Sequence, residues 1–128
     1  MNTAHICDFA YNDNDQLIQA IDISSEQLHA KILTHGGTLA SLHLAGHSHS
    51  LVLGFNDFVG CQKHQYIGSV LGRVANRIAH AQFPWKGQIQ YLSANWNGHT
   101  LHGGKDSFSD RIWHIVESAP HYVTLALE

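Results

Sequence analysis

The sequence predicts an all-β, mostly antiparallel fold, and three observations predict it. Apolar residues recur with a period of two in several stretches, the mark of half-buried strands. Turn-forming pairs such as Gly36-Gly37 and Lys86-Gly87 separate those stretches. Almost no segment carries a helical period. Strands from end to end argue for a sandwich or a barrel.

Leu28, Ala30 and Ile32 alternate with His29, Lys31 and Leu33, which reads as a strand. His35-Gly36-Gly37-Thr38 breaks it, because paired glycines permit the positive φ of a tight turn. A second alternation sets Leu39, Ser41 and His43 against Ala40, Leu42 and Leu44. Ala45 to Ser50 is turn-like, and Leu51-Val52-Leu53 resumes as a short strand, so the opening reads as an antiparallel meander. Gly54 to Tyr66 has no clean period and reads as a loop. In Gly68 to Ala79 the apolar Val70, Leu71, Val74 and Ile78 fit neither period, and Gly72 interrupts a helix. That stretch is expected to be a short buried segment, bent to present Arg73, Asn76 and Arg77.

Next comes a hairpin: Ala81 to Trp85, a turn at Lys86-Gly87, then Gln88 to Leu92. Pro84 demotes the first arm to an edge strand, because it has no N–H for a ladder. Asn95 to Asp110 is loop, and its His and aromatic content favours a functional loop. Arg111 to Glu117 and Tyr122 to Leu127 read as two further strands joined at Ala119-Pro120. The last strand reaches Glu128 without a closing turn, so the sheet is expected to continue beyond it. An edge left open in this way favours self-association. The whole, residues 1–128, reads as one domain.

Composition narrows the partners. The chain is 44% hydrophobic and 13% charged, against a usual charged share of ~25%. Disorder is thereby disfavoured, and the polarity is supplied by Asn, Gln, Ser, Thr and 12 His. Such a surface suits a neutral polyhydroxylated ligand better than a phosphate. The net charge is −3 and the basic residues are scattered from Lys31 to Arg111, so no nucleic-acid footprint is present. No apolar run approaches the ~20 residues of a membrane span. The N-terminal Met1-Asn2-Thr3-Ala4-His5 lacks signal-peptide character. Cys7 and Cys61 lie in dissimilar contexts and read as reduced thiols, which points to a cytoplasmic protein.

Individual residues sort by context. His43, His47 and His49 crowd one turn, but no Cys or carboxylate adjoins them, so a solvated turn is expected and no metal site. Trp85 and Trp113 occupy strand positions and read as core. Trp96, in the loop before His102, is a candidate to stack on a ligand ring. His99 reads as an exposed loop residue.

Two segments are more specific than the rest: Gly72-Arg73-Val74-Ala75-Asn76-Arg77-Ile78, and Asn97-Gly98-His99-Thr100-Leu101-His102-Gly103-Gly104 followed by Phe108, Arg111 and Trp113. Together they resemble the aldose 1-epimerase (galactose mutarotase) family, from about Leu28 to the C-terminus. That family carries a Gly-Arg-x-Ala-Asn-Arg-Ile segment and then a Phe, Gly, Tyr and Leu hairpin, matched here by Phe83, Gly87, Tyr91 and Leu92. An Asn-x-Leu-His-Gly-Gly loop follows, ahead of an Arg-x-Trp strand. The chain departs from the pattern in the hairpin, where Tyr91 stands one residue further along than is commonest, and at Ser107-Phe108-Ser109-Asp110, where the family usually has Gly-Phe-Asp-Lys.

The resemblance implies the N-terminal portion of a galactose mutarotase-like β-sandwich. It implies a reaction that interconverts the α and β anomers of hexoses such as galactose or glucose by acid–base ring opening. No cofactor is implied, since only protons move. Asn76 and Arg77 are then substrate-binding residues, and His102 both binds substrate and assists proton transfer as a catalytic residue. Arg73 is left as structural. Family members are more than twice as long, and their second catalytic His, sugar-binding Asp and catalytic Glu lie beyond the matched part. The alternative expectation is therefore a non-catalytic or vestigial sugar-binding fragment.

Overall fold

A computed structural model describes residues 4–128 and contains ten strands, β1 (His5–Tyr11), β2 (Leu17–Ser24), β3 (Leu28–Leu33), β4 (Thr38–Leu44), β5 (Arg77–Ile78), β6 (Gln82–Trp85), β7 (Gln88–Tyr91), β8 (Thr100–Leu101), β9 (His114–Ala119) and β10 (Tyr122–Ala126). One short α-helix, α1 (Phe58–Lys63), and three single turns of 3-10 helix join them. Every strand pair is antiparallel, so the all-β class holds. Contacts divide the chain into two bodies, one comprising the chain up to Val70 together with Ser109–Glu128, the other Leu71–Phe108.

In the first body a four-stranded sheet runs in the order β1-β2-β3-β4. The expected alternation in β3 and β4 is realised, with Leu28 opposite Leu44, His29 opposite His43 and Lys31 opposite Ser41. β1 and β2 lie upstream of the first strand that alternation located. Ile18, Ala20 and Ile21 in β2 are all fully buried, so that strand is covered on both faces and its apolar residues do not alternate. β1 hides its period in another way, because a bulge between Asp8 and Ala10 shifts its phase.

The core sits on one face of this sheet and consists of Ile18, Ala20, Leu33, Ala40 and Phe58, with Cys7, Phe9, Cys61 and Ile112 packed against it. Phe58 comes from α1, which replaces the irregular loop expected between Gly54 and Tyr66. Asp57 caps that helix by accepting the Gly60 N–H at 2.7 Å. Both cysteines are free and half-buried, and burial, aided by Asp57, pushes the Cys61 thiol up.

Leu51-Val52-Leu53 is not a strand. The Ser50 hydroxyl accepts the Leu42 N–H at 3.1 Å and so takes the place of a ladder carbonyl beside β4. The Gly36-Gly37 turn instead anchors the returning chain. The Gly36 N–H donates to the Arg111 carbonyl and the Trp113 N–H to that of Thr34, both at 2.8 Å. The hairpin β9–β10 follows. It begins at His114 rather than Arg111, and it meets β2 through the Ser24 N–H and the Pro120 carbonyl at 2.7 Å.

The second body is built from pairs of short strands. β6 and β7 form the predicted hairpin, with Phe83 opposite Gln90 and Pro84 opposite Ile89. Trp85 is 59% exposed, so its expected core position is not realised. β5 and β8 are two-residue strands that pair Arg77 with Leu101 and Ile78 with Thr100. Of the apolar residues around β5, Val74 is exposed and Ile78 half-buried, so the bend is less buried than its composition suggests. No helix among the described residues is long and apolar enough to cross a membrane.

Candidate functional site

The β5–β8 pairing brings the two specific sequence segments side by side, although they are far apart in the chain. Asn76 stands just before β5 with φ 66°, in the left-handed region that Asn tolerates better than most residues. Its backbone N–H donates to Nδ1 of His102 at 2.9 Å, and the His102 N–H donates to the Asn76 carbonyl at the same distance. An N–H can only donate, so Nδ1 is the lone-pair nitrogen, and the neutral ring carries its proton on Nε2. Of the two ring nitrogens, Nδ1 is thereby the acceptor within the fold.

Arg77 is held from two sides. Its Nη1 donates to Oδ1 of Asn76 at 3.0 Å, and its guanidinium carbon lies 4.1 Å from the centre of the Trp96 ring, within cation–π range. Trp96 therefore turns one face to Arg77. The Trp96 N–H donates to the His99 carbonyl at 3.1 Å and the His99 N–H to the Trp96 carbonyl at 2.8 Å. This closes a hairpin turn over Asn97 (φ 47°) and Gly98 (φ 80°), the two positive angles that Asn-Gly supplies readily.

After β8 the chain stays left-handed through His102, Gly103 and Gly104. At Gly103 (φ 98°) a Cβ would fall inside the Gly72 carbonyl oxygen, so the first specific segment passes against a position that only glycine allows. The Phe108 N–H then closes the loop by donating to that same carbonyl at 3.1 Å. Arg73, read as structural, lies over the Phe108 ring at 5.6 Å.

Sequence reasoning missed three supporting residues. Asn95 imitates a strand edge for β8, its Oδ1 accepting the Leu101 N–H at 2.7 Å and its Nδ2 donating to the Leu101 carbonyl at 2.9 Å. Ser93 accepts the Thr100 hydroxyl on its carbonyl and the Lys105 N–H on its own hydroxyl. His99, expected to be exposed, is half-buried, and its Nδ1 accepts the His80 N–H at 2.9 Å. Asn and Ser in a loop carry no periodic signal, so only their partners reveal these roles.

The array offers a guanidinium, the Asn76 amide and an imidazole N–H, all suited to hydroxyl and ether oxygens. Residues 71–108 contain four basic side chains and a single carboxylate, Asp106. Among the described residues no group of three or more His, Cys, Asp or Glu could hold a metal ion.

The sequence profile described as Aldose 1-epimerase matches residues 19–128. Galactose mutarotase of Bos taurus is 36% identical over 100 residues, covering 75% of this chain and 29% of that protein. Aldose 1-epimerase of Haemophilus influenzae is 46% identical over 65 residues, covering 50% of this chain and 19% of that protein. The crystal structure of a GalM/aldose epimerase homologue from C. elegans superposes with a TM-score of 0.75 at 35% identity, over 83% of this chain and 34% of that one. The chain thus spans about a third, or less, of the length of the relatives it matches.

Proposed function

The chain belongs to the aldose 1-epimerase family, and from that premise we propose that Asn76, Arg77 and His102 form a sugar-binding face for an aldose such as galactose or glucose, used in the interconversion of its anomers. The observation that carries this reading is the coupled array around β5 and β8. One backbone bond sets the His102 tautomer, and one side-chain bond ties Arg77 to Asn76. Anomer interconversion removes a proton from the anomeric hydroxyl and delivers one to the ring oxygen. In our reading the Nε2–H of His102 supplies a hydrogen bond to the sugar oxygen that gains charge. The Arg77 guanidinium offers a fixed positive charge nearby, worth most where it needs no rearrangement. A well-placed acid or base contributes ~10²–10⁴ in rate.

A second reading rests on the carboxylate inventory. The reaction also needs a base, and Asp106 is the single carboxylate of residues 71–108. If no other part of the molecule supplies one, this face binds sugar without turning it over.

Polarimetry of freshly dissolved α-D-galactose, beside a His102→Ala variant and a no-protein control, tests the first reading. Acceleration that the variant loses supports it. A curve equal to the control, with galactose still perturbing the NMR signals of residues 76, 77 and 102, supports the second. Absence of both effects overturns the sugar-binding proposal.

A further inference from the structure

The second body contains a repeated device around β5. At its start, Asn76 (φ 66°) gives its N–H to Nδ1 of His102; beyond its end, His80 (φ 55°) gives its N–H to Nδ1 of His99, each at 2.9 Å. Two imidazoles three residues apart on the β8 side thus hold Asn76 and His80, left-handed residues on either side of Arg77-Ile78. A left-handed non-glycine residue is strained, and persists only where its surroundings fix it. The ladder between β5 and β8 is only two residues long, too short to supply that restraint unaided.

We propose that His99 is a positioning residue for Arg77, acting at both ends of that side chain's support. Through Nδ1 it fixes His80, and with it the exit of β5. Through its backbone it closes the turn that carries Trp96, whose ring supports the guanidinium. Its own ring lies 5.3 Å from that of His80 and 6.2 Å from that of Trp96, so it fills the space between them. Asn Oδ1 is as many bonds from Cα as His Nδ1, so it can accept the same N–H.

This inference rests on the sugar-binding reading only for its effect on affinity. The test compares His99→Leu and His99→Asn with the unaltered chain by three readouts: hydrogen exchange of the His80 amide, the NMR shift of the Arg77 Nε–H under the Trp96 ring, and galactose affinity. The Leu variant is expected to exchange the His80 amide about tenfold faster or more, to move the Arg77 signal, and to weaken galactose binding by about tenfold. The Asn variant is expected to restore amide protection and the Arg77 signal. A Leu variant that leaves both NMR readouts unmoved overturns the proposal, as does an Asn variant that loses both. If the Leu variant fails to fold, the Asn variant decides alone, and loss of its His80 protection overturns the proposal. If the unaltered chain binds no galactose, the sugar reading fails, and the positioning role is decided by the two NMR readouts.

Discussion

The backbone N–H of Asn76 points its proton at Nδ1 of His102 over 2.9 Å. A strand-edge amide therefore sets the tautomer of the imidazole proposed to meet the sugar. Long-range nitrogen–proton NMR should find the neutral His102 ring protonated on Nε2. His102→Asn keeps an acceptor for Asn76 but has no Nε2–H, so the Asn76 amide should stay protected while galactose affinity falls about tenfold. A His102→Asn variant that binds galactose as well as the unaltered chain would remove the Nε2–H from the proposed site.

Asn76 combines a backbone role with a side-chain role, and two substitutions separate them. Gly accepts the left-handed φ of 66° but cannot hold Arg77. Ala can neither hold Arg77 nor adopt that angle without a cost of about 1 kcal/mol. Asn76→Gly should melt close to the unaltered chain, and Asn76→Ala several degrees lower. Both should lose galactose affinity to a similar degree, because both free the guanidinium from its 3.0 Å bond. Calorimetry and sugar titration of the pair check this.

Gly103→Ala should be among the most damaging single changes in residues 71–108. The added methyl meets the Gly72 carbonyl oxygen, a backbone atom that cannot swing aside, and φ is 98°. A loss of about 3 kcal/mol or more is expected, the range of core-disrupting changes. Gly98→Ala makes a useful contrast, since nothing lies within 4 Å of its added carbon. Its cost should be confined to the backbone strain at φ 80°. Denaturant unfolding followed by tryptophan fluorescence compares the two.

His35 links stability to pH. It is 5% exposed, its ring is edge-on to Phe58 at 5.0 Å, and Nε2 lies 3.4 Å from Oδ1 of Asp110. Burial pushes its pKa below the ordinary value, and the Asp110 carboxylate opposes that shift in part. The unfolded chain then binds the proton more readily than the folded one. The His35 contribution is fully present above the unfolded value of about 6.5 and is lost as pH falls from there towards the folded value. His35→Gln should flatten this part of the stability curve, and Asp110→Asn should steepen it. Urea unfolding across that window reads both slopes.

Much of the molecule is legible in its sequence. The alternation of Leu28, Ala30 and Ile32, the Gly36-Gly37 turn and the Lys86-Gly87 hairpin announced β3, β4, β6 and β7. A period of two survives wherever a strand has one wet face. It fails for β2, buried on both faces, and for β1, whose bulge shifts its phase. The six residues of α1 are too few to display a helical period, and Asp57 signals that helix only once Gly60 is seen beneath it.

The candidate site divides in the same way. Asn76, Arg77 and His102 could be chosen from the sequence because two specific segments contain them, and residue types alone announce donors for oxygen. What the tertiary structure decided is which atoms of these residues are already engaged within the fold. Only the β5–β8 pairing shows that Nδ1 of His102 is occupied by an amide, that one face of Trp96 is turned to Arg77, and that His99 is half-buried at the His80 N–H. Hydrogen bonds between segments distant in the chain leave no periodic trace in either, because each partner looks like an ordinary loop residue until folding sets it within 3 Å of the other.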